Sequence, residues 1–235
     1  MRFETDPGIQ AQVDWTDCGA WLVGDAVRKL HAFVAVLGYS RMVAVHFATD
    51  TTRPATLRLL VAALEDLGGA PIEVLSDRDP ALVIGETPAH RPVFSPEWSD
   101  LAATLGTRPR ACRAHRAQTK GKVERVIREV KEDFLRWLTG QVLPASPSLA
   151  DYDRLARRWA LEVVATRRHR TTGRVVGEAW EQERALLREI PARIASALAG
   201  ERPEVPAPVI DLSALRSAGD VVEDRPLGDY EAVIP

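Results

Sequence analysis

Hydrophobic and polar residues alternate near the start of the chain, in the stretch IQAQVDWTDCG at residues 9–19. This period of two is typical of a β-strand with one buried face. Two further runs, residues 29–40 and 41–49, are rich in β-branched and aromatic residues and meet at Gly38 to Arg41. They predict an antiparallel hairpin.

The first predicted helix follows this hairpin. Apolar residues recur at helical spacing through ATLRLLVAALEDLGG, residues 55–69. Thr51 or Thr52 is suited to cap its N-terminus, and the pair Gly68 and Gly69 is suited to end it.

A strand and two more helices complete the predicted core. PIEVLSD, at residues 71–77, is a short apolar stretch of the kind found in buried parallel strands. A second helix is predicted over residues 95–106, with Ser95 as its cap and Pro96 in its first turn. A closing helix with an apolar stripe is predicted over residues 121–138. Three strands, a helix, a strand and two helices predict an α/β fold, in which helices cover the faces of a mixed sheet.

Four segments are predicted along the chain. Residues 1–140 form the α/β core, and residues 141–149 form a linker that contains proline and serine. Helical periodicity returns in residues 150–191, which are predicted to form a small helical extension. Residues 192–235 are predicted to be an extended, poorly ordered acidic tail.

The distribution of charge points to a polyanionic partner. The formal net charge is −2, but residues 108–131 contain nine Lys or Arg and two Glu, a local charge of +7. Residues 154–174 contain seven Arg and one Glu, a local charge of +6. From residue 201 onward, eight acidic residues and three Arg give −5. Two basic blocks on one chain favour binding to nucleic acid.

Composition excludes several other classes of protein. With 46% hydrophobic and 27% charged residues, the 235-residue chain has the composition of an ordinary globular protein. The two cysteines, Cys18 and Cys112, predict neither a disulfide framework nor a structural zinc site, so a reducing compartment is expected. No signal peptide and no apolar run of about 20 residues is present, so no membrane partner is predicted.

Three carboxylates are placed by these elements where a metal site is expected. Asp14 lies in the first strand, Asp77 ends the fourth strand, and Glu124 lies in the first turn of the closing helix. Open α/β sheets bind ligands at the carboxyl ends of their strands. Three carboxylates in one cleft would repel one another unless a cation neutralised them, and Mg²⁺ prefers such oxygen ligands.

Simpler roles remain open for each acid. Glu124 and Arg128 have the i,i+4 spacing of an ordinary surface ion pair. Asp77 lies in SDRDP, where aspartate is common as a turn residue. Asp14 is harder to explain in this way, because a carboxylate within an alternating apolar strand is costly to bury without a partner.

Taken together, these motifs resemble the retroviral-integrase superfamily of DDE transposases, and within it the IstA-type transposases of bacterial insertion sequences. The resemblance covers most of residues 2–191. It rests mainly on QTKGKVERVIREVK at residues 118–131, on QVDW at residues 12–15, and on the 47 residues that separate Asp77 from Glu124.

The resemblance implies an RNase H-like fold, with a mixed five-stranded sheet flanked by helices. It also implies that Asp14, Asp77 and Glu124 are the catalytic, metal-binding acids, which hold two Mg²⁺ ions or Mn²⁺ as a substitute. The implied activity is cleavage and joining of DNA strands by in-line phosphoryl transfer. The family pattern has Asn after the second Asp, whereas this chain has Arg78 and then Asp79. Asp79 is therefore an alternative second acid, and Asp77 is preferred because it directly ends the strand.

Basic side chains are the predicted contacts to DNA phosphates. They are Arg113, Arg116, Lys120, Lys122, Arg128, Arg167, Arg168 and Arg170. For the last three, an exposed helix end is an equal alternative. His115 is predicted to be an exposed or DNA-contacting residue rather than a general base, and Trp15 to pack in the core.

The resemblance further implies partners and a setting. They are insertion-sequence ends and target DNA, a homo-oligomer on DNA, an IstB-like ATPase helper, and a bacterial cytoplasm with nucleoid association. Helix-turn-helix segments precede the core in intact members of the family, and this chain begins at the core. Two other functions fit the residues: a structure-selective nuclease on the same fold, and a truncated, non-catalytic DNA-binding remnant of a transposase.

Overall fold

A computed structural model of the protein describes residues 5–112, 130–169, 172–192 and 194. The described strands are β1 (Gln10–Val23), β2 (Ala26–Leu37), β3 (Val43–Ala48), β4 (Glu73–Ser76), β5 (Val83–Glu86), β6 (Pro92–Phe94) and β7 (Arg108–Ala111). The described helices are α1 (Arg53–Leu67), α2 (Pro96–Leu105), α3 (Leu135–Thr139), α4 (Leu149–Trp159) and α5 (Val176–Arg184). A π-helical turn at Val130–Phe134 leads into α3, and another at Ala160–Val164 continues α4.

Five of the strands form one mixed sheet in the order β3-β2-β1-β4-β7. The pairs β1–β2 and β2–β3 are antiparallel, whereas β1–β4 and β4–β7 are parallel. The predicted hairpin, the buried parallel strand and the mixed five-stranded sheet are therefore confirmed.

The caps of the first two helices also agree with the sequence. The Thr52 side chain accepts a hydrogen bond from the Ala55 backbone N–H at 3.5 Å, and α1 ends at Gly68 with a left-handed φ of 98°. Ser95 accepts one from Trp98 N at 3.3 Å at the start of α2. Both side chains satisfy backbone donors that the first turn of a helix leaves without a partner.

Two elements differ from the sequence-based prediction. The fifth strand is β7, which no local sequence pattern predicted. Its sequence, RPRA, has little strand propensity, and it is held by parallel pairing with β4, including Cys112 N–H to Ser76 O at 3.0 Å. The β5–β6 hairpin was not predicted either, because Gly85 and Pro92 interrupt the apolar pattern of its strands.

Helix α4 packs against the sheet, and α5 contacts the end of α1. Phe47 of β3 stacks on Phe134 with ring centroids 5.7 Å apart. The Tyr152 hydroxyl donates to Leu22 O at 2.6 Å, and Trp180 Nε1 donates to Leu67 O at 2.8 Å. Phe47, Phe134, Tyr152 and Leu67 belong to one hydrophobic core, and Trp180 packs against it. The division at residues 141–149 stays a prediction, and of the predicted tail only residues 192 and 194 are described.

None of the helices in the described segments is long and apolar enough to cross a membrane.

A buried histidine joins three of these elements. His46 of β3 is 4% exposed. Its Nε2 lies 3.3 Å from Asp66 Oδ2 at the end of α1, and its Nδ1 lies 3.3 Å from Asp153 Oδ2 on α4. The Nε2 contact has ion-pair distance without hydrogen-bond geometry. Arg157 also pairs with Asp66, and the Phe47 backbone N–H donates to Asp153 Oδ1 at 2.8 Å.

The two carboxylates keep His46 protonated. Burial by itself would lower the pKa of His46, but the ion pairs with Asp153 and Asp66 outweigh burial and raise it from 6.5 to about 9. The same contacts, with Arg157, outweigh the effect of burial on Asp66 and lower the pKa of that carboxyl. Imidazolium therefore links β3, α1 and α4 electrostatically.

The stability of the fold should consequently depend on pH through His46. Because the pKa of His46 is raised on folding, the stabilisation that protonated His46 gives to the fold should be complete below about pH 6.5. This stabilisation should be lost as the pH rises through about 9. A rise from 6.5 to 9 corresponds to about 3 kcal/mol of unfolding free energy. Urea unfolding of the chain between pH 6 and pH 10 measures this loss.

The variant His46→Gln should be less stable at pH 6 and should lose most of this pH dependence. His31→Gln is the matched control, because burial lowers the pKa of His31 and that residue should hold no such charge in the folded state. An equal pH dependence in the His46→Gln variant and the parent chain would contradict the assignment.

Candidate metal centre and nucleic-acid interface

Asp14 and Asp77 come directly after the last residue pair of two parallel strands. Val13 of β1 is paired with Ser76, the last residue of β4. Asp14 is the next residue of β1, Asp77 directly follows β4, and both are half-buried. In parallel neighbours, residues at the same register lie side by side on one face of the sheet. The register therefore favours a close approach of the first acid and the preferred second acid at the carboxyl end of β4.

Asp14 lies on the face of the sheet that receives the closing helix. Since alternate residues share a face, Asp14 lies on the same face as Thr16, and Thr16 is paired through Ala32 with Phe47. Phe47 in turn stacks on Phe134, which is fully buried. The predicted third acid, Glu124, lies ten residues before Phe134 in the sequence and outside the described residues.

Asp79, the alternative second acid, makes the contacts of a turn residue. Its Oδ1 accepts a hydrogen bond from the Ala81 backbone N–H at 2.8 Å. Its carbonyl oxygen accepts from Leu82 N at 2.9 Å and from Val83 N at 2.7 Å. Burial raises the pKa of Asp79, the bond from Ala81 opposes this rise, and the charge of Asp77 adds to it. These contacts give Asp79 a structural role in the loop that follows β4.

Arg78 was not predicted as a functional residue. Its Nη2 lies 2.6 Å from Glu86 Oε1, so the residue after Asp77 is tied to the β5–β6 hairpin. His90 Nδ1 lies 3.7 Å from the other oxygen of Glu86. The sequence marked Arg78 only as a departure from the Asn of the family pattern. That departure did not identify Glu86 as its partner.

In the second basic block, residues 154–174, the two described arginines predicted to bind DNA contact other parts of the protein. Arg167 Nη2 lies 3.0 Å from Asp133 Oδ2, and its guanidinium lies 5.9 Å from the centre of the Trp159 ring. Arg168 Nη1 donates to Gly173 O at 2.5 Å. A phosphate would compete with these contacts. DNA binding by both arginines stays a prediction.

The other predicted DNA contacts lie outside the described residues. They are Arg113, Arg116, Lys120, Lys122, Arg128 and Arg170, and His115 also falls there. Trp15 is described, and its indole Nε1 donates to the Thr56 hydroxyl at 3.3 Å while its ring packs edge-on against Phe33. Trp15 thus packs between the sheet and α1.

No group of three or more His, Cys, Asp or Glu suited to a metal ion occurs within the described part of the chain. The two carboxylates at the end of β4 nevertheless have the oxygen donors that a hard cation such as Mg²⁺ prefers. The third donor of the predicted set, Glu124, falls in the stretch between residues 112 and 130 that the structure does not describe.

Comparison with known proteins agrees with this architecture. Residues 4–117 match the model of the integrase core domain family. A protein of Geobacillus stearothermophilus assigned as the transposase of insertion sequence element IS5376 is 34% identical over 183 residues, which are 78% of this chain and 44% of that protein. The transposase of IS21 from Pseudomonas aeruginosa is 37% identical over 134 residues, 57% of this chain and 34% of that protein.

A solved structure has the same fold at low sequence identity. The HTLV-2 integrase catalytic core domain in complex with magnesium aligns with a TM-score of 0.51 and 19% identity. The alignment covers 74% of this chain and 96% of that chain. The sheet and its helices therefore have the architecture of an integrase catalytic core.

The fold is therefore RNase H-like, that of an integrase catalytic core. Residues 4–117 carry an integrase core domain, and over 78% of its length the chain is similar to a transposase of a bacterial insertion sequence, which supports a DDE transposase of this superfamily. The chain spans less than half the length of the two curated relatives described above.

The contacts of Asp79 yield a prediction about stability. Asp79→Ala removes the acceptor for Ala81 N–H, and loss of one such hydrogen bond should lower the unfolding free energy by about 1 kcal/mol. Asp79→Asn retains an acceptor and should cost less. Chemical denaturation of the variants measures both values.

Asp100→Ala is the matched control, because Asp100 is an exposed carboxylate on α2. It should change the unfolding free energy by less than about 0.5 kcal/mol. If Asp79→Ala has no larger effect than Asp100→Ala, the structural role assigned to Asp79 is wrong.

Proposed function

We propose that this chain is the metal-dependent catalytic core of a DNA transposase, which cleaves and joins DNA strands by in-line phosphoryl transfer. The observation that supports the proposal is the parallel register of β1 and β4, whose last pair is Val13 and Ser76, the residues directly before Asp14 and Asp77. We infer from it that the two acids are neighbours on the face of the sheet where Phe47 stacks on Phe134. Glu124 is proposed as the third member of the set.

The residues of the proposed centre suit a divalent cation. Two adjacent carboxylates repel each other, and a cation between them removes that repulsion. Their oxygens are ligands for Mg²⁺, which also keeps positions for water and phosphate oxygens. The HTLV-2 integrase core is in complex with magnesium, and we extend Mg²⁺ binding to Asp14, Asp77 and Glu124 of this chain. Two Mg²⁺ ions are proposed, with Mn²⁺ as a substitute.

The proposed reaction is a displacement at phosphorus. An oxygen of water or of a DNA 3′-hydroxyl forms a bond to phosphorus while the bond to the 3′ oxygen of the cleaved strand breaks, and the nucleophile loses its proton. Bound metal would supply Lewis-acid activation of the nucleophile and stabilisation of the leaving oxygen. The carboxylates hold the centre, and the basic residues of 113–128 hold the DNA backbone without reading its sequence.

The proposed partners follow from the same function. The substrates are the ends of an insertion sequence and a target DNA. A homo-oligomer assembled on DNA and an IstB-like ATPase helper belong to the proposal as well. A bacterial cytoplasmic setting with access to the nucleoid is the compartment where such substrates occur.

The metal-binding trio yields the first functional prediction. Replacing Asp14 or Asp77 by Asn, or Glu124 by Gln, keeps the size of each side chain and removes one charge. Each variant should remain folded and lose Mn²⁺-supported cleavage of a labelled oligonucleotide carrying an insertion-sequence end. A supercoiled plasmid in the same reaction reports joining.

Asp79→Asn should retain cleavage, because Asp79 serves the turn, and Asp100→Asn is the exposed control on α2. Loss of cleavage in Asp79→Asn with normal cleavage in Asp77→Asn would reverse the choice of second acid. Cut but unjoined DNA from the parent chain would indicate a nuclease, and bound, intact DNA would indicate a binding module.

The basic segment yields a second functional prediction. Each phosphate contact on duplex DNA contributes about −0.9 to the slope of log affinity against log salt concentration. Replacing Lys120 and Lys122 by Ala should weaken binding to all sequences and flatten this slope by up to about two units. Fluorescence anisotropy at several salt concentrations measures the slope.

Lys29→Ala is the control for this measurement. Lys29 Nζ pairs with Asp17 at 2.8 Å near the distal end of the β1–β2 hairpin, so its loss should leave the slope unchanged. An unchanged slope in the double variant would place the DNA on another surface of the protein.

A further inference from the structure

We propose that Arg78 is a positioning residue for Asp77, which acts by tying the loop after β4 to the β5–β6 hairpin through Glu86. The inference rests on the proposed metal centre, because it concerns how one of its acids is held. The observation behind it is the ion pair between Arg78 Nη2 and Glu86 Oε1 at 2.6 Å, one residue away from Asp77.

The loop that contains the second acid, residues 77–82, is held firmly at its far end. Leu82 O accepts from the backbone N–H of Ser95 at 2.9 Å, which joins the loop to the start of α2. Arg53 Nε donates to Ala81 O at 2.9 Å, and Arg53 Nη1 lies 3.1 Å from Glu97 Oε1. The backbone and side chain of Asp79 close the turn between these anchors.

Arg78 contributes a contact at the near end of the same loop. Strand β4 ends at Ser76, so Asp77 and Arg78 follow the last paired residue of that strand. The Arg78 side chain reaches across to Glu86, the last residue of β5, whose partner across the hairpin is Pro92. A charged pair thus fixes the backbone immediately after Asp77, where the β4 ladder has ended.

Stability alone gives no reason for an arginine at this position. The two side chains are 33% and 32% exposed, and ion pairs of this exposure contribute little to folding. Moreover, Arg78 Nε is buried, and within the described part of the chain it has no hydrogen-bond partner. A buried donor without an acceptor is costly. Proteins tolerate such unfavourable local features mainly at functional sites.

A positioning role and a purely electrostatic role predict opposite effects on the metal. If Arg78 acted only through its charge, it would repel a cation near Asp77, and its removal would tighten cation binding. If Arg78 holds Asp77 in place, its removal should weaken cation binding. Residues that orient metal ligands typically change metal affinity by 10- to 100-fold when they are replaced.

The test is direct binding of Mn²⁺ to the full chain without DNA, measured by electron paramagnetic resonance of free Mn²⁺. Arg78→Gln and Glu86→Gln should each weaken binding by about 10-fold. The exchanged pair, Arg78→Glu with Glu86→Arg, should restore most of the affinity. Arg91→Gln is the matched control, because Arg91 is an exposed arginine beyond the tip of the same hairpin.

The outcomes separate this inference from the proposed function. Mn²⁺ binding by the parent chain, with unchanged or tighter binding by Arg78→Gln, would overturn the positioning role and leave the metal centre intact. Weaker binding in Arg78→Gln and Glu86→Gln, with recovery in the exchanged pair and none of the loss in Arg91→Gln, would support it. No binding by the parent chain would overturn the metal centre and the inference together.

Discussion

The parallel pairing of β1 with β4 is the constraint on which the rest of the molecule depends. A parallel pair cannot be joined by a tight turn, so the chain must cross the sheet between the two strands. It does so after β3, at the far edge, and α1 is the crossover. The fully buried Leu60, Leu64 and Leu67 of α1 belong to the core that this crossing creates. The same pairing fixes which residues of the two strands become neighbours at the end of β4.

Among the described residues, the carboxylates of Asp66 and Asp153 differ from those of Asp14 and Asp77 in how their charge is balanced. Asp66 and Asp153 approach each other from α1 and α4, and the protonated His46 lies between them. That pair is neutralised by the protein itself, with help from Arg157. It therefore serves to join elements of the fold. Asp14 and Asp77 instead come directly after the last residue pair of β1 and β4. Under the proposed function they are neighbours, and a bound cation balances their charge.

Much of this fold could be predicted from the sequence because its signals are local. Alternation predicts β1, and the threonine and serine caps with their following glycines predict α1 and α2. The actual β1 extends to Val23, beyond the predicted end at Gly19, because the strand continues past a register shift between Asp17 and Ala20. Gly19 has a left-handed φ of 82° there, a conformation for which glycine carries no steric penalty.

The elements that could not be predicted are those held by distant partners. Strand β7 has a polar sequence and forms because β4 offers it a parallel edge. The β5–β6 hairpin is short and is interrupted by glycine and proline. For the candidate site, spacing and family resemblance indicated the acids. The hydrogen bonds that Asp79 makes in the turn are contained in no sequence pattern, and the choice of Asp77 over Asp79 stays a prediction.

Three consecutive residues after β4 have different roles in the fold and in the proposed site. Asp77 directly follows the last paired residue of β4, Arg78 binds the hairpin, and Asp79 closes the turn. Extended backbone directs successive side chains to opposite sides, so neighbours in sequence can serve separate purposes without competing for space. Under the proposed positioning role, the turn and the hairpin limit the movement of Asp77 without contributing a ligand. A site that must hold like charges close together gains from such support, because repulsion would otherwise drive the carboxylates apart.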